Sequence, residues 1–169
     1  MKKFQILFLA LFLGAVSVTF NSCTKDDPCK DVTCGDHGSC FEGSCVCDEG
    51  YELGADTKCS AEIRAKTIGS YTFSDVCSTG TYTGTATIEN SSAGVFNIVV
   101  GNFAGSGTTV KVTATMDKNN KITIPDGALG SFTVSSASGT FASGKISWTY
   151  SLKDTAGAVD VCTSTWTKL

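Results

Sequence analysis

The sequence has few of the residues and motifs that usually carry enzyme chemistry. It contains one histidine, His37, and two prolines in 169 residues. A Ser-His-Asp or Cys-His arrangement would have to form around His37, and we interpret that residue as part of a turn. No glycine-rich phosphate loop joins a strand to a helix, and no Lys/Arg cluster supplies the electrostatic footprint of a nucleic-acid binder. We therefore predict that the protein is not an enzyme and has no catalytic residue, no cofactor and no nucleic-acid partner.

Cysteine, by contrast, is abundant. All nine cysteines follow the first hydrophobic segment of the chain. Structural disulfides are rare in a reducing cytosol, so this density predicts an oxidising compartment.

Residues 1–22 have the layout of a secretory signal. Two lysines precede a charge-free apolar run, and small and polar residues follow it. The alternative is a retained transmembrane anchor, which needs about 20 predominantly apolar residues. The strongest run, Ile6 to Val18, is 13 residues long, so we favour a signal that is removed.

The odd number of cysteines points to a special role for Cys23. Nine cysteines cannot all pair within one chain, and setting aside the one at the end of the signal leaves an even number. Residues 1–27 resemble bacterial lipoprotein signals, which implies that Cys23 becomes the first residue and carries acyl chains such as palmitate. Residues 24–27, Thr-Lys-Asp-Asp, resemble the export signal of Bacteroidetes surface lipoproteins. That resemblance implies display on the outer face of the outer membrane, whereas the alternative is a charged tether over residues 23–28.

Residues 29–59 form a small module with six cysteines. A segment of this size buries too little apolar surface to fold without cross-links. Cys45 and Cys47 are too close in sequence to bridge each other comfortably, but spacing leaves several pairings open. The cysteine pattern, with His37-Gly38 before the third cysteine and Gly50-Tyr51 after the fifth, resembles an EGF-like domain of the tenascin-like form. The resemblance implies three disulfides: Cys29–Cys40, Cys34–Cys45 and Cys47–Cys59.

Two kinds of metal site, for zinc and for calcium, occur in modules of this kind. Zinc requires reduced thiolates, which are not expected outside the cell. Calcium-binding EGF-like domains carry an acidic lead-in and a modified Asp or Asn in a later loop, and the corresponding loop here is Phe41-Glu42-Gly43-Ser44. We therefore predict no metal, and interpret Asp26 and Asp27 as charges of the tether.

Residues 60–67 are predicted as a polar linker, and residues 68–169 as an all-β domain. Residues 145–153 alternate strictly between polar and apolar side chains, the period of a half-buried strand. Eight such runs are separated by turn residues, near 68–76, 80–89, 95–101, 108–116, 121–124, 130–141, 144–153 and 159–167. Short connections favour an antiparallel meander.

The last two cysteines predict how this domain closes. Cys77 and Cys162 have the inward parity of the first and last runs, so a disulfide between them would make those strands neighbours. A meander whose ends meet is a barrel without exposed edges; the alternative is a β-sandwich. Asp75, Asp154 and Asp160 are candidates to converge near this seam, and we interpret them as solvated carboxylates at strand ends.

The aromatic residues decide between two functions. Seven share the inward parity and are expected to fill the core: Tyr71, Phe73, Phe96, Phe132, Trp148, Tyr150 and Trp166. With a filled core, we expect a cell-surface lipoprotein that serves adhesion, binding or structure on an EGF-like stalk, with an extracellular protein or glycan as partner. The alternative is a lipocalin-like carrier of a small hydrophobic ligand. A cavity above about 300 Å³ would favour the carrier.

Overall fold

The computed structural model describes residues 26–169. The predicted signal at 1–22 and Cys23 lie outside the described residues. Strands make up nearly all the regular structure, and two short 3₁₀ helices, Ile63–Thr67 and Phe103–Gly105, complete it. The predicted all-β class is correct.

The N-terminal module consists of two small hairpins held by disulfides. Strands β1 (Gly38–Phe41) and β2 (Ser44–Cys47) pair antiparallel, as do β3 (Tyr51–Leu53) and β4 (Cys59–Glu62). Three disulfides join Cys29 to Cys40, Cys34 to Cys45 and Cys47 to Cys59. These are the pairs that the resemblance to EGF-like domains implies. Cys34 and Cys59 are buried at the centre of the module, whereas Phe41 and Val46 are exposed, so cross-links replace most of an apolar core here.

The larger domain is an eight-stranded antiparallel barrel with one additional short strand. Its strands are β5 (Gly69–Cys77), β6 (Gly80–Asn90), β7 (Asn97–Gly101), β8 (Lys111–Met116), β9 (Lys121–Ile124), β10 (Gly127–Leu129), β11 (Phe132–Ala142), β12 (Lys145–Lys153) and β13 (Val159–Lys168). The short strand β10 pairs only with the beginning of β11.

The barrel closes at two seams. β13 pairs with β5, which joins the last strand to the first, and β11 pairs with β9 beyond the short β10. Closure leaves none of the eight barrel strands with an unpaired edge. The prediction of a barrel is therefore correct, and the alternative prediction of a β-sandwich is excluded.

Side chains from every barrel strand fill the middle of the barrel. Trp148 and Trp166 are each 1% exposed, and their ring centroids lie 5.6 Å apart. Two of the seven aromatics that we expected in the core lie elsewhere. Phe132 is 37% exposed at the start of β11, and Phe96 is half-buried just before β7. Neither residue has a neighbouring strand on both sides, because Phe132 pairs only with Leu129 of the short β10 and Phe96 precedes β7.

Residues 60–67, predicted as a linker, are folded. Ser60–Glu62 complete β4, and the first 3₁₀ helix occupies the rest. Ile63, Arg64 and Thr67 of this segment are buried. Arg64 is 7% exposed, and its Nη1 lies 2.7, 2.8 and 2.6 Å from the carbonyl oxygens of Ser91, Gly94 and Asn97. Two of these carbonyls lie in the connection from β6 to β7 and the third at the first residue of β7, so Arg64 attaches the N-terminal module to one end of the barrel.

Candidate functional site

A pocket opens at the end of the barrel that lies away from the N-terminal module. Its volume is about 560 Å³, within the range of small-molecule sites. The first 3₁₀ helix precedes the start of β5, and the pocket lies at the end of β5, beside Cys77. Nine extended residues at about 3.3 Å per residue separate the two ends of this strand by about 26 Å. The pocket therefore faces away from the N-terminal module.

The pocket wall is largely apolar. The ends of β5 and β12 and the beginnings of β6, β11 and β13 provide most of it. The apolar contributions come from Phe73, Ala104, Phe132, Tyr150, Leu152 and Val159. The position of Phe132 is explained here, since its ring borders the pocket instead of the filled core.

Phe103 forms the base of this arrangement and was not identified from the sequence. It is fully buried, and its ring centroid lies 5.1 Å from that of Trp148 and 4.8 Å from that of Tyr150. The preceding Asn102 has φ +56°, donates to the Thr85 carbonyl at 2.7 Å and accepts from the Gly107 amide at 2.7 Å. This turn directs Phe103 into the barrel, where its ring fills the interior beneath the pocket.

Asp75 is the buried carboxyl group of the pocket. It follows Tyr71 and Phe73 along the inward face of β5, and it is only 2% exposed. Ser164 lies opposite it on β13, and Tyr150 is on the next strand, β12. Both hydroxyls lie near the carboxyl group and act on its pKa as hydrogen-bond donors, but neither reaches Asp75 Oδ1 with the distance and angles of a hydrogen bond. Asp75 Oδ1, Tyr150 OH and Ser164 Oγ have no partner among the described residues.

Burial sets the protonation of this group. Desolvation raises the pKa of the Asp75 carboxyl, and the nearby Ser164 and Tyr150 hydroxyls offset part of the rise. Desolvation, followed by the neighbouring Asp75 charge, also raises the pKa of the Tyr150 hydroxyl. A buried polar group without a partner destabilises a fold by about 1–3 kcal/mol, and an unpaired charge by more. Our interpretation of Asp75 as a solvated carboxylate is therefore wrong.

Asp154 and Asp160 reach the same pocket but have local partners. Asp154 Oδ1 accepts from the Ala158 amide at 2.8 Å in the turn between β12 and β13. Asp160 accepts from the amide of Thr79 at 3.2 Å and also from its hydroxyl. The hydroxyl hydrogen bond, as the largest cause, holds the pKa of Asp160 below its usual value. The three carboxyl groups do converge on one pocket.

Of the predicted disulfide cysteines and His37, all of them described residues, Cys77 alone lines the pocket. Cys77 and Cys162 are opposite each other on β5 and β13 and are joined by a disulfide. His37 stacks on Tyr51, with ring centroids 3.7 Å apart. Within residues 26–169, the group Cys77, Asp160 and Cys162 brings three potential metal-ligand atoms together, but both sulfurs belong to the disulfide.

A second hollow, of about 590 Å³, lies between the N-terminal module and the barrel. Charged loop residues surround it, including Glu49, Asp117 and Lys118. Asp117 Oδ1 is already hydrogen-bonded to the amides of Asn119 and Lys121, at 2.8 and 2.9 Å. In the described part of the chain, the hollow contains no buried unpartnered carboxyl group like Asp75, so we take the pocket at Asp75 as the candidate site.

A scan against protein-family models and a search of curated proteins find no match to this chain.

None of the helices in residues 26–169 is long and apolar enough to cross a membrane.

Proposed function

We propose that the protein is a lipid-anchored, non-enzymatic binding protein outside the cytoplasm, and that the open end of its barrel holds a small ligand. The sequence alone favours an adhesion, binding or structural protein over a ligand carrier, and this proposal reverses that order. The pocket of about 560 Å³ carries the proposal, because it exceeds the size that would favour a ligand carrier.

The arrangement of the two parts of the chain supports this proposal. Acyl chains on Cys23 would hold the N-terminus at the outer membrane, and the EGF-like module would then act as a short stalk. Arg64 attaches this module to one end of the barrel, and the pocket opens at the other. The ligand site would thus face away from the anchor.

Two observations support a role without catalysis. His37, the single histidine of the chain, stacks on Tyr51 at the far end from the pocket. The eight cysteines at positions 29–162 are all in disulfides, so none of them is a free nucleophile.

A neutral apolar probe tests the proposal. The probe 2-(1-naphthyl)ethanol should bind the protein with one-to-one stoichiometry in calorimetry. Leu152→Trp adds bulk to the pocket wall and should abolish binding. Its control, Lys153→Trp, adds the same side chain at the next residue, which is exposed, and should leave binding unchanged. Absence of binding to the unmodified protein, or equal binding by both variants, would contradict the proposal.

A second candidate function is contact with an extracellular protein or glycan through the outside of the barrel. Val76, Val159 and Val161 are 55%, 59% and 60% exposed. Val159 and Val161 share one face of β13, and Val76 pairs with Thr163 on the same face, so the three form one apolar strip. Cells displaying Val161→Lys would lose adhesion to an immobilised partner if this function holds, whereas cells displaying Leu152→Trp would keep it.

A further inference from the structure

The charged side chains that line the pocket are all acidic. Among residues 26–169, Asp75, Asp154 and Asp160 line it, and no Lys, Arg or His does. A low-dielectric cleft with charges of one sign concentrates counter-ions and repels ions of the same sign. The electrostatic character of the pocket therefore favours a cation and disfavours an anion.

The three carboxyl groups have different freedom to contact a ligand. Asp154 and Asp160 accept hydrogen bonds from the turns that hold them. Asp75 Oδ1 has no hydrogen-bond donor within the described residues, and neither has the nearby Tyr150 hydroxyl a partner there. Asp75 is thus the one group of the three that is buried, unpartnered and on the pocket wall.

We propose, building on the ligand-binding function above, that the pocket takes a small molecule in which an apolar body carries a protonated amine, with the ammonium group paired to Asp75. The ammonium donates to the Asp75 carboxylate and gives this buried charge a partner. Tyr150 accepts from, or donates to, a polar group beside it. Phe73, Leu152 and Phe132 contact the apolar body, while Asp154 and Asp160 attract the cation to the entrance.

A metal ion fits this pocket less well than an amine. A divalent ion needs several oxygen ligands around one point. Among the described residues, the three pocket carboxylates do not form a group of ligand atoms lying within 4.8 Å of one another. A protonated amine needs only one acceptor, which Asp75 offers.

Three probes with the same naphthyl body separate the amine proposal from the ligand-binding proposal beneath it. They are the cationic 2-(1-naphthyl)ethylamine, the neutral 2-(1-naphthyl)ethanol and the anionic 1-naphthylacetate. At a working pH of about 7.5 the amine is protonated, because this pH lies about three units below the pKa of an alkylamine. Calorimetry on the exported chain should show the amine binding at least about tenfold more tightly than the alcohol, the effect of one hydrogen bond to a charged group. The carboxylate should bind more weakly than both.

Asp75→Asn then assigns the preference to one residue. The variant keeps the shape of the side chain, so the alcohol should bind as before, and the amine should lose its advantage of about tenfold. Glu49→Gln removes one exposed charge at the opposite end of the molecule and should leave both affinities unchanged.

Each alternative outcome has a definite meaning. If the alcohol binds as tightly as the amine, or the amine keeps its advantage in Asp75→Asn, the amine proposal is overturned and the ligand-binding function stands. If neither probe binds the unmodified protein, both are overturned.

Discussion

Cys77 and Cys162 lie directly opposite each other on β5 and β13, and their disulfide joins the first barrel strand to the last. This one bond spans 85 residues of sequence. It also lies beside the pocket, since Cys77 lines the wall next to Asp75. The link that closes the barrel therefore also holds the strands that carry the candidate site.

Removing this disulfide should destabilise the barrel without changing its strand order. Replacing both cysteines by Ala should lower the free energy of unfolding by about 2–5 kcal/mol, because the unfolded chain loses a long closed loop. Denaturant unfolding of the barrel under non-reducing conditions measures this. The paired change Cys29→Ala with Cys40→Ala serves as control, since it removes a disulfide confined to the N-terminal module. Equal unfolding midpoints for the Cys77/Cys162 variant and the unmodified protein would contradict the prediction.

The Arg64 contacts should hold the N-terminal module against the barrel. Arg64→Ala leaves three carbonyl oxygens without their donor, and we expect a loss of about 1.5–3 kcal/mol, typical of hydrogen bonds to a charged group. Hydrogen exchange should accelerate at residues 91–97. Lys111→Ala is the control, because it breaks an exposed ion pair with Glu89 that contributes at most about 1 kcal/mol. Exchange at 91–97 that is unchanged by Arg64→Ala would refute the docking role.

Asp75 should make the empty protein less stable at neutral pH. Because burial raises the pKa of the Asp75 carboxyl above its ordinary value of 3.8, the folded protein binds this proton more tightly than the unfolded chain does. The folded state therefore loses stability as the pH rises from about 3.8 through the raised folded pKa, and the loss is complete above it. Asp75→Asn should be more stable than the unmodified protein at neutral pH, with a difference that shrinks on acidification.

Asp160→Asn is the matched control, and its effect on stability should have the opposite sign. The pKa of Asp160 is lowered, so its carboxylate stabilises the fold above the unfolded pKa, and this effect is lost as the pH falls through the folded pKa. Thermal unfolding across this pH range compares the two variants. A difference for Asp75→Asn that does not vary with pH would show that the buried carboxyl group carries no desolvation penalty.

Cys23 should be the membrane anchor. Cys23→Ser should leave the fold unchanged and release the exported protein from membranes, since the acyl chains supply the binding energy. Membrane fractionation and mass spectrometry of the N-terminal peptide measure the two consequences. Continued membrane association of the variant after signal removal would contradict the anchor.

The sequence predicted the barrel because its strongest constraints act along strands. Alternation located all eight barrel strands, and the inward parity of Cys77 and Cys162 predicted the seam between β5 and β13. The irregular parts gave no periodic signal. In β11 the register shifts between Ser135 and Ser138, and the Ser136 amide donates to Asp126 Oδ1 at 2.8 Å. This bulge lies where β11 changes partner from β10 to β9.

The candidate site was harder to predict, because it depends on where each strand meets the end of the barrel. Parity alone places Asp75 inside, in line with Tyr71 and Phe73. Its position near the end of β5 instead favours a solvated carboxylate, which is the interpretation that proved wrong. Phe103 lies in a connection, where period-two alternation does not apply. Arg64 lies in a polar segment, and only the carbonyls that surround it explain its burial.

The central claim is that the open end of the barrel binds a small ligand, and an NMR titration tests it most directly. With ¹⁵N-labelled protein, 2-(1-naphthyl)ethylamine should shift amide signals at residues 79–83, 104–105 and 158–160, which border the pocket. The signals of residues 48–51 and 117–119, around the second hollow, should not move. Saturable shifts confined to the first set would support the account, and shifts confined to the second set, or none at all, would contradict it.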